Sequence, residues 1–216
     1  MAALDHLIEG YRAFRAGVYQ QNAARYRELA ERQQNPKAMV IGCCDSRADP
    51  AMIFNADPGE LFVLRNVANL VPSYQPDERS HGTSAALEFA VTVLGVSDII
   101  VMGHARCGGI AALQQSLTTP VAGEFIPQWM ASLRGLAEEL TAAHPDLGPA
   151  DLLPLLERRA VVRSLDRLRT FPFVRGREGA GTLRLHGMFY GIASGVLSIY
   201  DPASDRFENV PDEPAA

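Results

Sequence analysis

Three short apolar runs limit what this chain can fold into: Ala38-Met39-Val40-Ile41, Leu61-Phe62-Val63-Leu64 and Val96–Met102. Each reads as a buried strand. Helical segments separate them. A short one lies around Ala51–Phe54, opened by Asp49-Pro50. A stronger one covers Ala85–Leu94, with Thr83 or Ser84 as its cap and Gly95 as its stop. Another runs from Ile110 to about Leu117. Apolar strands alternating with helices predict an α/β fold with a mainly parallel sheet. In such sheets, sites form beyond the carboxyl ends of the strands.

Those ends carry chemistry. The first strand runs into Cys43-Cys44-Asp45-Ser46-Arg47, the second into Arg65-Asn66-Val67-Ala68-Asn69, and the third into His104-Ala105-Arg106-Cys107-Gly108-Gly109. In an extended chain, Cys43, Asp45 and Arg47 share one face at steps of about 6–7 Å, and Cys44 and Ser46 take the other. If the first and third strands are neighbours, Cys43 and His104 meet in one crevice. His104-x-x-Cys107 is a two-ligand clip, and Cys43 supplies a third ligand. Two thiolates and an imidazole suit zinc, and three protein ligands with a position left over is the catalytic pattern. Cys107 opens a helix, where the dipole favours a thiolate. Asp45 has two uses. As a fourth ligand it closes the site; paired with Arg47 it leaves that position to water, whose hydroxide it can orient.

The 216 residues allow one domain, with an arm at most. Residues 1–34 form that arm: Leu4, Leu7, Ile8, Tyr11 and Phe14 make an apolar helical stripe, broken near Gly17. Residues 35–210 form the α/β domain, and 211–216 a disordered tail. Within the domain, further helices are expected over Pro127–Ala143 and Asp151–Thr170, with strands at Thr182–His186 and Gly195–Tyr200. The net charge of −5 and the lack of a basic face argue against nucleic acid. No apolar run approaches the ~18 residues of a membrane span. Three cysteines make no disulfide scaffold, and the first residues do not read as a signal peptide, so a cytoplasmic protein is expected.

The motif Cys43-x-Asp45-x-Arg47 with His104-x-x-Cys107 resembles the β-class carbonic anhydrases. The likeness extends to Pro58-Gly59-Glu60, Arg65–Asn69, Gly82–Val91, Cys107-Gly108-Gly109 and Leu185-His186-Gly187. It implies zinc-dependent, reversible hydration of carbon dioxide to bicarbonate through a zinc-bound hydroxide. It implies a sheet of order 2-1-3-4 with an antiparallel edge strand. It also implies a homodimer or homotetramer whose N-terminal helices embrace a partner and whose active site lies at the dimer interface. Gln34, nine residues before the zinc cysteine, matches a substrate-contacting glutamine of the open form. Val40 stands where the closed form has a tryptophan. Phe62 and Val67 match apolar pocket positions, Phe89 replaces a frequent tyrosine, and the Gly108 N–H can orient substrate oxygens. The alternatives are hydrolysis of carbon disulfide or carbonyl sulfide by the same hydroxide, and a non-catalytic zinc or thiol protein closed by Asp45. His81 is a candidate proton carrier, His186 reads as structural, and His6 and His144 as surface residues.

Overall fold

In the computed structural model, which describes residues 3–32, 34–121 and 123–212, the first apolar run becomes the centre of a sheet. Strand β1 (Ala38–Cys43) pairs in parallel with β2 (Leu61–Asn66) on one side and with β3 (Asp98–His104) on the other. Strand β4 (Arg184–Tyr190) adds to β3 in parallel. Strands β5 (Leu197–Asp201) and β6 (Arg206–Asn209) follow antiparallel, giving the order β2-β1-β3-β4-β5-β6. The expected order of the first four strands holds, but two antiparallel strands extend the sheet where one was expected. Four residues with Phe207 as their single apolar side chain give β6 too weak a pattern to read.

Both faces of the sheet are covered, which is why Met39, Val40 and Ile41 are all fully buried and the run shows no alternation. One apolar layer joins Met39, Ile41, Ile99 and Val101 to Val161, Leu165 and Phe171. Val161 and Leu165 belong to the long helix α9 (Pro149–Leu168). The other layer holds Cys43 and Cys107 among Leu70, Ile110, Leu113, Met130, Leu133 and Leu156.

The helices depart from expectation in instructive ways. The arm is three helices, α1 (Ala3–Ala16), α2 (Val18–Gln21) and α3 (Ala23–Glu31), broken at Gly17 as expected and again at Asn22. None of their residues is buried. Asp49 Oδ1 accepts the Ala51 N–H at 2.9 Å and caps α4 (Pro50–Ile53). Helix α5 (Gly82–Glu88) starts before the expected caps, and the Thr83 hydroxyl instead accepts from Asn66 Nδ2 at 3.3 Å. A π turn over Phe89–Val93 completes it, and Gly95 in the left-handed region ends it.

Helix α6 spans Gly108–Gln115. The helix expected over 127–143 is two, α7 (Ile126–Ala131) and α8 (Arg134–Ala143), parted where Arg167 donates to the Ser132 carbonyl. Helix α9 (Pro149–Leu168) lies across the sheet. Helix α10 (Pro172–Gly179) had no reading from sequence; its two glycines obscure the helical signal, and buried Val174 anchors it.

A Cβ on Gly103 would stand 2.5 Å from Val161 Cγ2, so α9 can approach β3 only because that residue has no side chain. Among the described residues no helix is long and apolar enough to cross a membrane. Of the expected tail, Pro211 and Asp212 are exposed, and 213–216 lie outside the described residues.

Candidate metal centre

Because β1 and β3 are parallel neighbours with Gly42 opposite Met102, Cys43 and His104 end their strands side by side. Arg106 then takes a left-handed turn (φ 57°), and Cys107 stands at the N-cap of α6. The donor atoms of Cys43, His104 and Cys107 all lie within 4.8 Å of one another, with the two sulfurs 4.0 Å apart. All three residues are buried.

Two features suit this cluster to a cation. First, His104 Nδ1 stands 3.0 Å from the Ala105 carbonyl, which can only accept. The proton is therefore on Nδ1, and Nε2 presents a lone pair to the sulfurs. That Nε2 is buried with no hydrogen-bond partner among the described residues, a costly state unless something electrophilic occupies the space. Second, the two sulfurs lie within hydrogen-bond reach of each other at 4.0 Å. The hydrogen bond from Cys107 lowers Cys43 to about 4, and the same bond, with burial, pushes Cys107 far up. A metal ion would take the place of the hydrogen between them.

Asp45 and Arg47 are joined as expected, but by a turn rather than an extended strand. Strand β1 stops at Cys43, and the Ala48 N–H reaches back to the Asp45 carbonyl at 3.1 Å. The turn lets Arg47 grip both carboxylate oxygens: Nε to Oδ1 at 2.9 Å and Nη2 to Oδ2 at 2.7 Å, with the Arg47 N–H adding 3.0 Å to Oδ1. These bonds hold the Asp45 carboxyl well below the usual carboxylate range. Asp45 Oδ2 lies 3.9 Å from His104 Nε2, beside the ligand cluster.

The surrounding shell was only partly legible. Arg65, near the end of β2, holds this turn: Nε donates to the Cys43 carbonyl at 2.8 Å, Nη2 to the Asp45 carbonyl at 2.7 Å, and Nη1 pairs with Asp49 at 2.6 Å. Asn66 clamps the loop after β2 through both the N–H and the carbonyl of Leu70, at 2.9 and 2.8 Å. A Cβ on Gly109 would stand 2.8 Å from Val67 Cγ1, so Val67 closes directly onto α6. Trp129 and Glu157 had no place in the sequence reading. Trp129 donates to the Val67 carbonyl at 2.8 Å, and buried Glu157 accepts the Cys107 N–H at 2.8 Å. Burial pushes the Glu157 carboxyl up. Its polarity on a buried helix face was the one available signal.

The sequence profile of the carbonic anhydrase family matches residues 38–197. A carbonic anhydrase of Pseudomonas aeruginosa is 38% identical over 212 residues, covering 96% of this chain and 92% of that one. The solved β-carbonic anhydrase CcaA shares the fold with a TM-score of 0.88 at 29% identity, covering 97% of this chain and 100% of that one. The chain belongs to the β-carbonic anhydrase family. One of two tetrameric β-carbonic anhydrases from Sordaria macrospora is also similar, with a TM-score of 0.80 at 26% identity over 91% of this chain and 95% of that one. With the family comes its activity: this β-carbonic anhydrase is an enzyme of carbon dioxide hydration.

In this β-carbonic anhydrase the residues expected to line the substrate pocket do not all gather at one cluster. Val67 adjoins it, and exposed Gly108 opens α6, where N–H groups lack helical acceptors. Phe62 does not adjoin it. It pairs with Met39, whereas Cys43 pairs with Asn66, so Phe62 sits four residues, about 13 Å, back along the sheet. Its ring packs on half-exposed Phe89 with centroids 5.9 Å apart. Exposed Gln34 precedes β1, also towards the far end of that strand.

Among the histidines, His81 borders an open cleft of about 700 Å³ with exposed Cys44, Val67 and Trp129. It also pairs with Asp77 at 2.6 Å. His186 bonds Asp98 at 2.8 Å, in keeping with a structural role, and His6 and His144 are exposed.

Proposed function

We propose that this enzyme holds zinc on Cys43, His104 and Cys107 and works in the open form, with Asp45 as a hydrogen-bond acceptor beside the metal and not as a ligand. The observation that carries the reading is the grip of Arg47 on both Asp45 oxygens, next to a buried Nε2 that has no hydrogen-bond partner among the described residues. The donor set fits the ion: two sulfurs and one imidazole nitrogen, all buried, leave a fourth tetrahedral position. Zinc so held supplies a water whose pKa falls to about 7, a nucleophile at neutral pH.

The chain's own residues do the rest. Arg47 keeps the Asp45 carboxylate charged and occupies both lone pairs of Oδ1, while Oδ2, beside His104 Nε2, accepts only Nη2 and retains a lone pair. Asp45 would accept a hydrogen bond from the attacking oxygen, without taking its proton, and so direct that oxygen's free lone pair outward. Val67 offers an apolar wall to a neutral, linear substrate, and the N-terminus of α6 at Gly108 offers donors to its oxygens.

The 13 Å offset supports a second part of the reading. Phe62, Phe89 and Gln34 are too far along the sheet to complete their own subunit's site, so they face the site of a second copy. Exposed Leu4, Leu7 and Tyr11 on the arm, at 65%, 67% and 60%, then pack on that copy. The enzyme works as a homodimer or a tetramer built from it.

Stopped-flow hydration of carbon dioxide by the zinc-loaded protein tests the proposal. Fast turnover that disappears in Cys43→Ser supports it, and full activity in that variant refutes it. The same protein assayed with carbon disulfide and carbonyl sulfide should be slow by comparison.

A further inference from the structure

Glu157 is the one buried carboxylate of the described residues, 4% exposed, and it makes no ion pair among them. A carboxylate is rarely enclosed this way without a cation, so what it bonds defines what it does. Its Oε1 accepts the backbone N–H of Cys107 at 2.8 Å. That N–H belongs to a metal ligand, one residue after the left-handed Arg106 and at the N-cap of α6. Arg158, next to Glu157, is turned away onto the Phe189 ring, 4.3 Å from its centroid. Glu157 reaches the loop from α9, the helix that packs closely on β3 through Gly103, so the anchor is held against the sheet that carries His104.

The other two ligands are set by regular structure: Cys43 and His104 end paired strands. Cys107 follows a strained turn and has no ladder to fix its depth. We infer that Glu157 is a positioning residue for the metal, its carboxylate oxygen setting the backbone of Cys107 so that the sulfur meets Cys43 and His104 before any ion arrives. This inference rests on the zinc reading of the site. A hydrogen bond held on a ligand's own backbone acts as the outer-shell partners of metal ligands do, where loss lowers affinity roughly 10- to 100-fold.

The test uses two substitutions that separate reach from charge. Glu157→Gln keeps the length and an oxygen acceptor, without the charge. Glu157→Asp keeps the charge but withdraws the oxygen by about one C–C bond, ~1.5 Å. Zinc affinity is measured by chelator competition, and the ligand field by the visible spectrum of the cobalt(II)-substituted full-length protein. The inference predicts near-native affinity and spectrum for Gln. For Asp it predicts affinity roughly 10- to 100-fold lower and a shifted spectrum. Native behaviour in Asp overturns it, and so does a Gln variant as impaired as Asp. A wild-type protein that holds no zinc, or holds it undiminished in Cys43→Ser, instead brings down the reading of the site itself.

Discussion

Arg47 and Asp45 are two residues apart in sequence and share three hydrogen bonds, two of them from the guanidinium to opposite carboxylate oxygens. A planar fork on a planar carboxylate fixes orientation as well as charge, and lysine cannot reproduce it. Asp45→Asn should therefore keep its zinc and lose roughly 10- to 100-fold in kcat/KM. Arg47→Ala should release the carboxylate, 3.9 Å from His104 Nε2, towards the metal. Activity then falls while zinc content stays full, measured by stopped-flow hydration alongside metal analysis. Unchanged turnover in both variants would remove the pair from the mechanism.

Metal removal should be visible in the thiols. Cys44 is exposed, whereas Cys43 and Cys107 are buried and placed to hold the ion. In the zinc-loaded protein iodoacetamide should modify Cys44 alone. After chelation Cys43 and Cys107 should become reactive as well, because their hydrogen bond favours a thiolate in the pair. Peptide mass mapping before and after chelation reads the difference.

Gly103→Ala should destabilise the fold, by about 1–3 kcal/mol. The new Cβ would stand 2.5 Å from Val161 Cγ2, and a β-branched valine in a helix has little rotamer freedom with which to yield. Val161→Ala in the same chain should recover part of the loss. Denaturant unfolding of the single and double variants measures both, and additive losses would contradict the contact.

Asp98 gives a signed pH dependence. Arg184 binds both its oxygens at 2.8 and 2.9 Å, and Ser97 and His186 add to them, holding its carboxyl well below the usual range. A carboxyl depressed on folding stabilises the native state above its unfolded pKa of about 3.9, and that stability is lost as pH falls through the lower folded value. Asp98→Asn should therefore melt below the wild type at pH 7, with the gap closing under about pH 4. Thermal scans across pH would show it, and a gap that widens in acid would contradict it.

The arm should report on assembly. Leu7 is 67% exposed and lies on the stripe with Leu4 and Tyr11. Leu7→Glu should shift the protein towards monomer in sedimentation velocity. It should lower activity with the zinc content intact, because Phe62 and Phe89 then face no second site. A monodisperse oligomer of unchanged activity would place the arm on its own subunit.

The cluster of ligands was legible before the structure because its residues end apolar runs, and in a parallel sheet the ends of neighbouring strands converge. The grip of Arg47 was legible as a pair but not as a turn: chemistry showed in the residue types, and the path of the backbone did not. Glu157 was invisible in its role, since nothing along a helix says which distant N–H a buried carboxylate will meet. Helix α10 and strand β6 were too glycine-rich or too short to carry a pattern.

What the sequence determined by itself was local: apolar runs of strand length, their helical partners, and the donor atoms waiting at their ends. Only the tertiary structure decided distances across elements. It brought Cys107 to 4.0 Å from Cys43 across 64 residues, and it left Phe62 far along the sheet from the site whose pocket it was expected to line. The reason is physical. Periodicity fixes the direction of a side chain about its own strand or helix, but strand register and helix packing fix where that strand or helix lies. Both depend on contacts, such as Gly103 against Val161, between residues far apart in the chain.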